Sequence, residues 1–128
     1  MVSRILVFFL LLFHQTSLFA LDDSVKILNT SKNKATIVFL DKVTSKKKTH
    51  SIEIGKKYTF HSLEILIKRC VLDSSDGLLK ISAFVQVQES TSKTKDKVYI
   101  FNGWMMPGYP SVNPMEHSSY DIWIKNCF

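Results

Sequence analysis

Arginine is nearly missing from this chain. Of its 17 Lys+Arg residues only Arg4 and Arg69 are arginine, yet bidentate reading of bases and phosphates leans on that planar side chain. Nucleic acid is therefore not an expected partner, despite a formal net charge of +6. Cysteine is scarce, with two in the chain and no CxxC, which argues against a thioredoxin-type redox pair and a zinc knuckle. There is no GxSxG, and no serine is marked by its context as a nucleophile. His117 and Asp121 could form an oriented base, but a triad needs that third member. Among Glu53, Glu64, Glu89, Glu116 and Asp121 nothing singles out a hydrolytic pair. His50, His61 and His117 lie in separate segments without ligand spacing. No catalytic residue, metal or cofactor is expected, and the chain reads as a non-enzyme.

Long apolar runs are also few. Ile5 to Phe13 is unbroken, but falls well short of the ~20 residues a spanning helix needs. With Arg4 before it and the polar His14–Ser17 after it, the run reads as a secretory h-region, with cleavage after Ala20. An uncleaved segment would instead leave a membrane anchor. Residues 1–20 are thus read as a signal peptide and 21–128 as a single β domain, its core at about 35–127. No repeat or low-complexity linker divides it.

What is present is lysine, clustered at Lys46, Lys47 and Lys48 and again at Lys93, Lys95 and Lys97. Both clusters read as solvated turns or lysine-protected edge strands. A weak attraction to anionic lipid or envelope polymer is the functional alternative. Cys70 and Cys127 form an even pair in an exported chain and read as a disulfide.

Short runs with period-two alternation recur in place of helical periodicity. Strands are expected at Ala35–Leu40, Ser51–Ile54, Leu63–Cys70, Lys80–Glu89, Lys97–Gly103 and Tyr120–Cys127. Asp41, just after an apolar strand, reads as a turn device. The fold class is all-β: a small antiparallel sandwich or barrel of about six to seven short strands with one disulfide. Alternation places Leu63, Ile65 and Ile67 inward, with Cys70 opposite; in the last strand it places Tyr120, Ile122 and Ile124 inward, with Cys127 opposite. The strands ending in the two cysteines are therefore expected to be neighbours, with the disulfide on the outer face or at a sheet end.

The segments LDKVT (Leu40 to Thr44), LEILIKRC ending at Cys70, AFVQV (Ala83 to Val87), FNGWM (Phe101 to Met105) and MEHSSYDIWIKNC ending at Cys127 resemble the 2155 family of domains of unknown function, small exported alphaproteobacterial proteins. The resemblance covers Ala35 to Cys127. It implies a periplasmic, disulfide-bonded β-domain and no established activity. Family members usually carry Gly where His61 stands, Pro where Ser118 stands, and a different turn in place of MPGYPS.

All three prolines fall between Phe101 and Cys127, with both tryptophans. Each X-Pro bond biases the preceding residue toward extended backbone, so the loop is stiff without regular structure. A contact surface is expected at Trp104, Met105, His117, Tyr120, Asp121 and Trp123. Against it stands ordinary packing: the tryptophans and Tyr120 on the core, Met105 filling a gap, His117 capping the start of the last strand through backbone or Asp121. The expected partner is a protein assembly of the cell envelope; the alternative is an envelope glycan, and a hydrolase is the distant third. Two exposed tryptophans spaced to stack sugars would favour glycan; a contiguous apolar patch would favour protein.

Overall fold

The computed structural model describes residues 25–28, 33–90, 98–108 and 112–128. The signal segment 1–20 with Ala20, the lysines at 93, 95 and 97, and the Tyr109–Ser111 part of the loop lie outside the described residues.

Among the described residues, eight antiparallel strands form two sheets. The first holds β1 (Val25–Leu28), β5 (Leu63–Asp73), β6 (Lys80–Glu89) and β7 (Tyr99–Met105) in the order β1-β5-β6-β7, with β4 (Lys57–Phe60) also paired to β5. The second holds β3 (Lys46–Glu53), β2 (Lys34–Asp41) and β8 (Tyr120–Cys127) in the order β3-β2-β8. Their inner faces share one core: Ile37, Phe39, Ile122 and Ile124 from one sheet, Leu63, Ile65, Ile67, Val85 and Val87 from the other. This is the all-β architecture the alternation implies, with β6 and β8 at the expected bounds.

Lys46, Lys47 and Lys48 lie in β3, an edge strand whose first residues are exposed. Lysine there keeps an edge from pairing with another chain. The β2–β3 hairpin is fixed by Asp41, whose Oδ1 accepts the backbone N–H groups of Val43 (2.9 Å) and Thr44 (3.1 Å). That makes Asp41 the turn device its position suggests.

The cysteine geometry corrects the expectation from alternation. Cys70 and Cys127 are bonded, but β5 and β8 belong to different sheets and are not neighbours. Both cysteines are buried within the core cluster. The cause is a bulge in each strand. On β5 the pairing with β6 runs from Ile67↔Val85 to Arg69↔Phe84, leaving Lys68 as the extra residue. On β8 the pairing with β2 runs from Ile37↔Ile124 to Thr36↔Asn126, leaving Lys125. An extra residue inverts the alternation beyond it, so Lys68 and Arg69 both face solvent and Cys70 turns inward. Lys125, Asn126 and Cys127 repeat the pattern.

Candidate functional site

The structure divides the six predicted surface residues among four places. Met105 is only 4 % exposed and packs in the core, so it leaves the candidate surface. It pairs with Ala83, an inward residue of β6, which puts it on the inner face.

Trp123 and Asp121 lie on the outer face of the second sheet, opposite in parity to Ile122 and Ile124. Lys47 sits over the Trp123 ring with Nζ 5.8 Å from its centroid, a cation–π distance. Val38, cross-strand from Trp123, is nearly covered. Asp121 pairs with Lys42 at 3.0 Å.

His117 and Tyr120 lie at the end of the sandwich beside the β2–β3 and β4–β5 turns. The Nδ1 atom of His117 accepts the backbone N–H groups of Ser119 and Tyr120, both at 3.1 Å. The ring proton is thereby placed on Nε2, which donates to Glu89 at 3.0 Å. His117 thus caps the start of β8, and its carboxylate partner is Glu89 rather than Asp121, which faces away. Both ring nitrogens are engaged. Tyr120 is held between two imidazoles: His61 at 5.3 Å and 3°, His117 at 5.3 Å and 17°. The ring contacts continue through Phe60 to Phe39, His50 and Tyr58, where the Tyr58 hydroxyl and His50 Nδ1 are 3.1 Å apart. Three histidines from separate segments therefore join one aromatic cluster, which their spacing gave no means of anticipating. Among the described residues, no three His, Cys, Asp or Glu side chains converge to hold a metal ion.

His61 lies in the two-residue turn between β4 and β5, with φ 51. Left-handed backbone favours glycine, which accounts for the Gly that the resemblance expects there. The nearby Asp41 carboxyl is held below its usual range, first by the Thr44 backbone N–H and least by the His61 charge.

Trp104 lies on the outer face of the first sheet, on the opposite side of the molecule from Trp123. It is 39 % exposed. Its ring meets Phe84 edge-to-face at 5.4 Å. The register places Arg69, Phe84 and Trp104 side by side on β5, β6 and β7. Two residues further along β5, Val71 pairs with Ile27 of β1, itself 53 % exposed. An apolar band with one arginine in it therefore crosses four strands on a face that no described element covers. The sequence reading missed Phe84, Arg69 and Ile27. The available signal was Phe84, a large aromatic at the outward parity of a regularly alternating strand. Beside the band, Lys57, Glu64, Leu66, Lys68, Gln86 and Tyr99 help to line a shallow hollow of about 160 Å³. That is below the ~300 Å³ at which small-molecule pockets begin.

A family model described as "Uncharacterized protein conserved in bacteria (DUF2155)" matches residues 35–127. The chain belongs to this DUF2155 family. The matched region runs from the inward Ala35 of β2 to the disulfide at Cys127, so the family's extent coincides with the two-sheet core. A relative, "Uncharacterized protein RP359" of Rickettsia prowazekii (strain Madrid E), is 24 % identical over 92 residues, covering 72 % of this chain and 59 % of that protein. The DUF2155 chain thus spans under two thirds of that relative's length. No solved structure matches it.

Proposed function

We propose that this DUF2155 protein is an exported, non-enzymatic interaction domain of the bacterial envelope, an accessory component of a protein assembly, which docks through the outer face of its first sheet. The observation that carries this reading is the uncovered band Ile27–Val71–Phe84–Trp104. An outward antiparallel face is ordinarily polar, and contiguous apolar area on such a face is the common mark of a protein contact. Export is supported by the leader pattern at residues 1–20 and by the disulfide, a bond that persists in oxidising compartments.

A glycan platform fits less well. Trp104 and Trp123 face opposite sides of the sandwich, and Lys47 occupies a face of Trp123. A saccharide chain has no pair of rings to lie across.

Crosslinking in the native envelope, followed by mild-detergent purification of a C-terminally tagged chain, tests the reading. A stoichiometric protein partner lost in Trp104→Ala and retained in Trp123→Ala is the expected result. Retention in Trp104→Ala refutes docking on this face. Recovery of envelope glycan without protein moves the assignment to carbohydrate.

A further inference from the structure

The charge on this face is unevenly compensated. Lys57 pairs with Glu64 at 2.8 Å, and Lys80 pairs with Asp76. Lys68 and Arg69 are different. The β5 bulge projects both outward in succession, and among the described residues no carboxylate lies within ion-pairing distance of either. Arg69 sits in register with Phe84 and Trp104. It is the single arginine after the predicted signal segment, in a chain otherwise supplied with lysine.

These features give the band a direction of charge. Arginine, tryptophan and phenylalanine together are the composition of interface anchors. A guanidinium on the strand next to Phe84, in the same row as Trp104 one strand further on, can take a carboxylate through two parallel hydrogen bonds, which a lysine cannot reproduce. Building on the docking face proposed above, we infer that its occupant is a protein segment presenting carboxylates beside an apolar side chain. The apolar side chain covers Phe84, Trp104 and Val71, while the carboxylate meets Arg69 with Lys68 behind it. A second copy of this chain does not fit. A two-fold contact would bring the same uncompensated cations toward each other, in a chain whose net charge is already +6. An anionic bilayer fits less well than a protein. Phe84 and Val71 are half-buried in the plane of a sheet, whereas membrane insertion uses apolar side chains that reach 5–10 Å into the interface.

The test is selection of phage-displayed random dodecapeptides on the protein purified from a host that exports the full chain. The panel is wild type, Arg69→Glu, Arg69→Lys and Trp104→Ala, each verified by mass to hold the disulfide and by circular dichroism to be folded. Wild type is expected to select peptides with Asp or Glu next to Trp, Phe or Leu. Their affinity is expected to fall about ten-fold or more in Arg69→Glu, since one lost charge-assisted contact is worth that much, by less in Arg69→Lys, and again about ten-fold in Trp104→Ala, which removes an aromatic interface anchor. Arg69→Glu is expected to select Lys- or Arg-bearing peptides instead. Apolar peptides with no acidic bias, bound equally by Arg69→Glu and lost in Trp104→Ala, would overturn the carboxylate inference and leave the docking face standing. Affinity unchanged in Trp104→Ala would overturn both. Vesicles of phosphatidylglycerol and phosphatidylcholine form the parallel arm. Binding to the anionic vesicles that is lost in Arg69→Glu, without acidic peptide selection, would overturn the inference in favour of lipid.

Discussion

Cys70 and Cys127 stand on strands of different sheets and join them across the core, with their Cα atoms 6.5 Å apart. The bond closes a sequence separation of 57 residues. In the chain-entropy account, that constraint on the unfolded chain is worth about 4 kcal/mol. The double variant Cys70→Ala/Cys127→Ala, with two small cavities added, is expected to lose at least that much. Urea unfolding of the variant and of wild type, with and without reductant, measures it. A loss under about 1 kcal/mol would mean that the crosslink scarcely constrains the unfolded chain.

The bulge at Lys125 supports a sharper expectation. Without that residue, strict alternation from the inward Ile124 places Asn126 outward and Cys127 inward. Deleting Lys125 is therefore expected to regularise the β2–β8 ladder and leave the disulfide intact. Alkylation followed by intact-mass measurement decides it: two free thiols in the deletion variant would show that Cys127 is turned inward by something other than the bulge.

At His61 the backbone is left-handed while the ring stacks on Tyr120. Glycine there relieves the backbone conformation and loses the stack; alanine loses the stack and keeps the conformation. His61→Gly is thus expected to be more stable than His61→Ala by about 1 kcal/mol, the cost of left-handed backbone for a residue with a Cβ. Thermal or urea denaturation of the two variants measures the difference. Equal stability would show that the turn relaxes.

Acid should weaken the hairpin that Asp41 holds. Its folded carboxyl titrates below the ordinary 3.8, because the Thr44 backbone N–H, the Thr44 hydroxyl and the Val43 backbone N–H all bond the ionised form. A depressed folded value adds stability above the unfolded one and loses it as pH falls through the folded one. Glu53, held down first by its hydrogen bond from Lys56, Asp73, by the Ser75 backbone N–H, and Asp76, by the Lys80 side chain, act in the same direction. Asp41→Asn is expected to be less stable than wild type at pH 7, with the gap narrowing below about pH 4. Urea midpoints at pH 7, 5 and 3 follow it; a gap independent of pH would remove the ionised carboxylate from the account.

Six strands were legible, most from alternation and Ala35–Leu40 from an apolar run rich in β-branched residues; of β3 only the Ser51–Glu53 end was anticipated, while β6 and β8 were legible end to end. β4 was not. Its Lys57–Phe60 run is four residues long, and it joins β5 through His61 and Ser62, which carry no Asn-Gly or Gly signature of a two-residue hairpin. β1 is equally short. The disulfide pair was legible from parity of count, while its position was not, because period-two reasoning assumes an unbroken ladder. The segments Ile67-Lys68-Arg69-Cys70 and Ile124-Lys125-Asn126-Cys127 carry the missing hint: two polar residues in a row before a residue type that is usually buried. The candidate surface was misassembled for a related reason. Trp104 and Trp123 are close to the same loop in sequence, but β7 and β8 enter different sheets and face opposite ways. Arg69 and Phe84 meet Trp104 only through strand register, which no local pattern encodes.

The two ends of the sandwich are closed by different means. Cys127 is seven residues from Tyr120 along β8, about 23 Å at ~3.3 Å per residue. One end is therefore bolted covalently and the other held by stacked rings and a histidine cap. Such a molecule has a built-in order of opening. Strain applied between the sheets parts them first at Tyr120 and last at Cys127, so the hairpin ends bearing Asp41 and His61 can breathe while the C-terminus stays fastened.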